Sequence, residues 1–208
     1  MSLFRAHQTG QVIDSAITLC AERAFERGLD LRVRESGLPS RCLGDPLRLS
    51  QVLVNLLGNA IKFTERGEVS LQASLVGSAE QPQLHLLIRD SGVGIAPDKL
   101  PGLFNPFYRA HDPYQFAGTG LGLNIARMLC QLMGGKIAVS SELGAGTELR
   151  IRLPLTPLAP ELEPKPACEP LPASLDAESA MVPSPKRPSP PAAAGRLRVL
   201  VVDDNHRS

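Results

Sequence analysis

Apolar positions over the first 154 residues change period several times, and each change marks an element. Val12, Ala16, Leu19, Cys20 and Ala24 recur at helical spacing, which predicts a helix from Gln11 to about Arg27 with Gly28 as its stop. Leu29, Leu31 and Val33 alternate with Asp30, Arg32 and Arg34, the period of a strand. Asp45 before Pro46 joins an N-cap to a first-turn proline. From there to Phe63, Leu49, Val52, Leu53, Leu56, Leu57, Ala60 and Ile61 form the wide apolar face of a second helix. Val69, Leu71, Ala73 and Leu75 alternate with polar residues, and Leu84, Leu86 and Ile88 follow after a polar loop near Gly77, so these two strands read as a hairpin. The stretch from Asp90 to Gly122 is irregular and rich in Gly, Pro and aromatic residues. A third helix is expected from about Leu121 to Met133, ending at Gly134-Gly135. Ile137 with Val139, then Leu149, Ile151 and Leu153, make a last strand pair turned at Gly144 and Gly146.

Helix, strand, helix, two strands, long loop, helix and two strands predict an α/β fold. It reads as a two-layer α/β sandwich, a mixed sheet with helices on one face. The connection of about 25 residues between Pro97 and Gly122 is longer than an ordinary link, and loops of that length usually move or bind something.

Past Pro154 the composition shifts. Twelve of the 19 prolines lie between Pro154 and Pro191, and such a stretch cannot fill a core. Residues 155–195 therefore read as an extended or disordered linker. Residues 196–208 turn apolar again and run into Asp203-Asp204, so the expected divisions are 1–154, 155–195 and 196–208.

The formal net charge of +1 gives no broad attraction to nucleic acid or to membranes. With no run of about 18 apolar residues, no membrane contact is expected of this chain, and Met1–Arg5 open no secretory signal. Cys20, Cys42, Cys130 and Cys168 form no Cys-x-x-Cys pair, which argues against zinc. Cys20 and Cys130 fall on apolar helical stretches, as small core residues of a reducing compartment do.

Four clusters carry candidate chemistry. Asp90 ends an apolar strand and is followed by Gly92 and Gly94, so an acceptor stands beside a slot that a flat ligand with an exocyclic amine could enter. An Asp-Gly turn fits the same residues. Asn55 and Asn59 share a helix face with Lys62 close by. An amide oxygen suits Mg²⁺ and a lysine suits a phosphate, while local bridging and a solvated lysine are the plain alternative. Phe104, Phe107 and Tyr108 could anchor the long loop as a small core or hinge a lid. Gly118, Gly120 and Gly122 lead into a helix N-terminus, which favours an anion, although the spacing is neither a dinucleotide fingerprint nor a P-loop.

Taken in order, these clusters resemble the N, G1, F and G2 boxes of the histidine kinase ATP-binding domain, a relative of gyrase and of heat-shock chaperones. The resemblance spans Phe4 to Pro154 and is closest over Gly44–Leu53 and Asn55–Thr64. It implies ATP and Mg²⁺ as cofactors. Asp90 would hold the adenine amine and Asn59 the metal; Asn59, Lys62 and Arg109 would serve transfer. Asn55, Phe63, Gly92, Gly94, Ile95, Phe107, Gly118, Thr119, Gly120, Leu121, Gly122 and Leu123 would complete the nucleotide site. Residues from Pro97 to Ala117 would form a mobile ATP lid.

The ATPases of this superfamily carry a water-activating glutamate where this chain has Asn55, and an amide is no general base. That favours phosphoryl transfer over hydrolysis. None of His7, His85, His111 or His206 has the context of the family's acceptor histidine, so transfer is expected to a dimerisation domain outside this chain. A nucleotide sensor without transfer and a hydrolase are the alternative readings. Arg196–Asn205 resembles the first strand of a receiver domain, with Asp203-Asp204 as its acidic pair. The resemblance thus implies a hybrid sensor kinase whose parent sits in a bacterial inner membrane with this domain in the cytoplasm. ATP or ADP, the dimerisation domain and the receiver are the expected partners.

Overall fold

The computed structural model describes residues 5–78, 80–111, 118–158 and 200–203. Strands β1 (Arg5–His7), β3 (Cys42–Gly44) and β8 (Thr156–Pro157) form a small antiparallel sheet. The main sheet contains β2 (Asp30–Ser36), β4 (Glu68–Val76), β5 (Gln83–Asp90), β6 (Lys136–Glu142), β7 (Gly146–Pro154) and β9 (Leu200–Asp203), in the order β6-β7-β5-β4-β2-β9. β4, β5, β7 and β6 are antiparallel neighbours, whereas β2 joins β4, and β9 joins β2, in parallel. Helices α1 (Thr9–Glu26), α2 (Pro46–Phe63) and α3 (Gly122–Leu132) supply the second layer. A 3-10 turn, Pro97–Gly102, lies in the long connection.

α2 is central because its sequence commits it to both layers. Asp45 caps it, accepting from the Arg48 N–H at 3.1 Å, and Pro46 takes the first turn, where no N–H partner is needed. The seven apolar residues picked out by periodicity are all buried. They meet Leu31 and Val33 of β2, Val69, Leu71 and Ala73 of β4, Leu84, Leu86 and Ile88 of β5, and Leu149, Ile151 and Leu153 of β7 in one core. Each of these strands turns its alternate residues inward, so the period of two read from the sequence is the period of burial.

One sequence expectation needs correction, and three further features were not read from periodicity. On α1 the buried face is Thr9, Ile13, Ala16, Ile17, Cys20 and Ala24, while Leu19 is exposed. Apolar residues outnumbered the positions on one stripe, so periodicity alone misplaced that face. The ordered chain also runs past Pro154: Leu155 is buried, β8 pairs with β3, and the Leu158 N–H donates to the Arg41 carbonyl at 2.9 Å. The small sheet was not anticipated, since strands of two or three residues carry no alternation. Leu200–Asp203, expected as the first strand of a receiver, is the strand β9 and pairs in parallel with β2. The remainder of the Pro-rich stretch, Cys168 and the rest of the expected receiver segment lie outside the described residues.

Cys20 and Cys130 are buried thiols, as expected for core residues, and Cys42 is buried as well. Burial raises the pKa of each, that of Cys130 to about 11. No helix among the described residues is long and apolar enough to cross a membrane.

Candidate functional site

With the apolar face of α2 committed to the core, Asn55, Gly58, Asn59 and Lys62 remain on one side at spacings of three and four. All four line a single cavity of about 380 Å³, a size usual for small-molecule sites. Its other walls come from Asp90 at the end of β5, Gly94 and Ile95 after it, Tyr108–His111, Gly118–Gly120 and the first turn of α3.

Asp90 closes one end. Its Oδ1 accepts from the Gly92 N–H at 3.0 Å and from the Thr147 N–H at 3.2 Å. The β5–β7 register sets Thr147 directly opposite Asp90, which makes the second bond possible. Oδ2 is left as the acceptor available to an occupant. Burial raises the Asp90 pKa above the ordinary carboxylate value, and the two N–H bonds pull it back. Gly92 stands behind this carboxylate, because a Cβ on it would overlap the Phe63 carbonyl. Gly94 has φ +64°, and a Cβ there would overlap the Glu142 carbonyl. Only glycine lets the loop press onto the β6–β7 turn this way. The contact is completed by Gly144 N–H donating to Val93 at 2.8 Å and Ile95 N–H donating to Ser141 Oγ at 2.9 Å.

Positive charge gathers elsewhere. Arg23, Lys62 and Arg109 line the cavity, and among the described residues Asp90 is the one carboxylate lining it with them. Lys62 Nζ lies 4.5 Å from the centroid of the Phe63 ring, which in turn lies 4.9 Å from the His111 ring at 39°. Burial lowers the Lys62 pKa, and Arg109 and Arg27 add to the effect. Burial also lowers the His111 pKa, helped by Lys99 and Lys62, so its ring is neutral near pH 7. Gly118 and Gly122 bring the α3 entrance against α2. A Cβ on Gly118 would lie 2.7 Å from Lys62 Nζ, and one on Gly122 3.5 Å from Asn59 Nδ2. The Asn55 Nδ2 is buried and has no hydrogen-bond partner among the described residues.

The described part of the long loop is anchored. Lys99 Nζ donates to the Ala110 carbonyl at 2.7 Å, and Asn124 Nδ2 donates to the Phe104 carbonyl at 2.9 Å. Ile95, Leu103 and Ala110 form a second small core against Leu100, Tyr108, Leu123 and Val139. Residues 112–117, within the expected lid, lie outside the described residues.

Of the residues named from sequence, Asn55, Asn59, Lys62, Phe63, Asp90, Gly94, Ile95, Arg109, Gly118, Thr119, Gly120, Gly122 and Leu123 all line this cavity. Three do not. Gly92 acts through Asp90, and Leu121 is the N-cap of α3. Phe107 is 73% exposed with φ +63°, because the turn that carries Tyr108 inward directs Phe107 out. Arg23, His111 and Thr147 line the cavity without having been singled out, and Tyr108, named only as a loop anchor or hinge, lines it too. Only Tyr108 had a local signal, its place in the aromatic cluster.

The family model for the histidine kinase-, DNA gyrase B-, and HSP90-like ATPase matches residues 44–157. This chain belongs to that family. It is 36% identical over 184 residues to the autoinducer 2 sensor kinase/phosphatase LuxQ of Vibrio cholerae, covering 87% of this chain and 20% of that protein. It is 43% identical over 123 residues to the sensor histidine kinase RcsC of Escherichia coli, covering 58% of this chain and 12% of that one. The chain thus spans a fifth or less of these curated relatives. Among solved structures, full-length ShkA in complex with AMPPNP superposes with a TM-score of 0.67 at 33% identity, over 76% of this chain and 32% of that one. The nucleotide-free catalytic domain of the histidine kinase ThkA gives 0.60 at 25% identity, over 73% and 95%.

Proposed function

We propose that this domain binds Mg-ATP in the cavity between α2 and the long loop, and that it passes the γ-phosphoryl group to a histidine on a dimerisation domain outside the chain. The observation that carries the reading is the polarity of one cavity. Among the described residues, one carboxylate lies at one end, and two amides and three cations lie along the rest. Adenine presents an amine and the triphosphate a run of anionic oxygens, so the two ends match the two parts of the ligand. Phe63 and His111 offer flat faces near Lys62. The likeness to a structure solved with AMPPNP supports the same reading.

Asn59 would hold Mg²⁺, with Asn55 one turn away on the same face. Among the described residues no group of three or more His, Cys, Asp or Glu could bind a metal alone, so the ion would draw most of its oxygens from phosphate and water, which suits Mg²⁺. The ion would supply charge neutralisation between phosphates. The residues orient and screen: Lys62 and Arg109 offset negative charge, Asp90 fixes the base, and Gly118–Gly122 bring backbone N–H groups and a helix N-terminus up to the phosphates. Asn55 cannot take a proton from water, which favours transfer over hydrolysis. A receiver beginning at residue 196, a hybrid-kinase parent and a cytoplasmic location under a membrane anchor belong to this proposal.

The test is labelling with γ-³²P-ATP. The chain alone acquires no phosphate, and adding the parent's dimerisation domain yields acid-labile phosphohistidine on that domain. Acid-labile phosphate on this chain alone, or none on the added domain, contradicts the proposal.

A further inference from the structure

We propose that Arg23 of α1 closes the phosphate end of the cavity and grips the terminal phosphoryl group of the nucleoside triphosphate. This rests on the nucleotide reading above. Arg27 Nη1 donates to the carbonyls of Ile61 at 3.3 Å and Lys62 at 2.9 Å, which ties the C-terminal ends of α1 and α2 together. Arg23 lies one turn before Arg27, and Gly58 one turn before Lys62, so the two stand level and both line the cavity. Arg23 is exposed and forms no ion pair among the described residues. Its N–H donors hold no carboxylate among the described residues.

Gly58 adds an independent observation. Glycine inside a helix is destabilising relative to alanine. Packing does not require it here, since a Cβ on Gly58 would meet nothing within 4 Å. The glycine leaves an open notch on the cavity wall. Asn55 lies three residues away on the same face, and its Nδ2 is buried with no hydrogen-bond partner among the described residues. Arg23 thus shares the cavity wall with this notch and with a polar side chain on the same face of α2. A group made only of acceptor oxygens suits the guanidinium, and a phosphoryl group is such a group.

Position along α2 says which phosphoryl group it is. Lys62 adjoins Phe63, whose carbonyl lies against Gly92 beside Asp90, and Asn59, Gly58 and Asn55 step away from that end along α2. The last phosphate of the chain reaches Arg23. The plain alternative is that Arg23 only offsets the α1 macrodipole from the last turn. That role involves no ligand.

The test is calorimetric titration of the chain with Mg-ATP and with Mg-ADP. In Arg23→Gln we expect the ATP affinity to fall about 10-fold or more, with ADP affinity kept within about two-fold. Arg23→Lys recovers part of the loss, since the charge remains while the planar fork is lost. Unfolding of the ligand-free Arg23→Gln protein matches wild type, because the side chain is exposed. An unchanged ratio of ATP to ADP affinity in Arg23→Gln, or an equal loss of both, overturns the role of Arg23 and leaves the nucleotide site standing. Wild-type protein that binds neither nucleotide overturns both.

Discussion

Asp90 shows how one residue sets stability against binding. Burial raises its pKa, so the ligand-free fold favours the protonated form. The stability gained by holding that proton is present at acid pH and is lost as pH rises from the ordinary carboxylate value, about 3.9, through the raised native one. In its ionised form the group is held at a cost to the empty domain. Asp90→Asn keeps an oxygen to accept from Gly92 and Thr147 but replaces the outward acceptor with a donor. The prediction is an unfolding midpoint at pH 7 equal to or above wild type, with ATP affinity reduced roughly 5–150-fold, as for a lost buried polar contact of about 1–3 kcal/mol. A second prediction concerns His111. Its ¹H–¹⁵N titration midpoint falls below the ordinary histidine value of about 6.5, because burial, Lys99 and Lys62 all oppose the charged ring. At this scale the sequence was legible where a polar residue interrupted an apolar pattern. Asn55, Asn59 and Asp90 stood out for that reason. Arg23 and His111 did not, because what makes them part of the cavity is a contact across the fold.

At the scale of elements, α2 was readable to its ends because cap, proline and apolar face agree. Its cap gives a third prediction. Asp45 accepts from the Arg48 N–H and pairs with Arg48 Nε at 3.2 Å. Asp45→Ala removes both, and chemical denaturation should report a loss of about 1 kcal/mol. The turn after β5 gives a fourth. Gly94→Ala forces a left-handed backbone on alanine and drives a Cβ into the Glu142 carbonyl. Denaturation should report a loss of at least about 1–2 kcal/mol, with weaker nucleotide binding since Ile95 moves with it. β1, β3 and β8 were invisible for a physical reason: their order comes from pairing with each other, over separations that no local period encodes.

For the whole molecule, the alternation of helical and two-residue periods was enough to specify two layers and a mixed sheet. Strand order was not legible, since β7 beside β5 and β2 beside β4 are pairings between distant segments. The open edge of β2 offers unpaired N–H and C=O groups, and β9 takes it in parallel. The central claim is that one cavity receives a purine at Asp90 and phosphates along α2. Thermal unfolding of wild type and Asp90→Asn across a Mg-ATP titration tests it most directly, since a ligand held only by the folded state raises the midpoint by mass action. The account predicts a midpoint that climbs with the logarithm of Mg-ATP concentration in wild type and a much smaller climb in Asp90→Asn. A flat wild-type midpoint up to millimolar Mg-ATP, or an equal climb in both proteins, contradicts it.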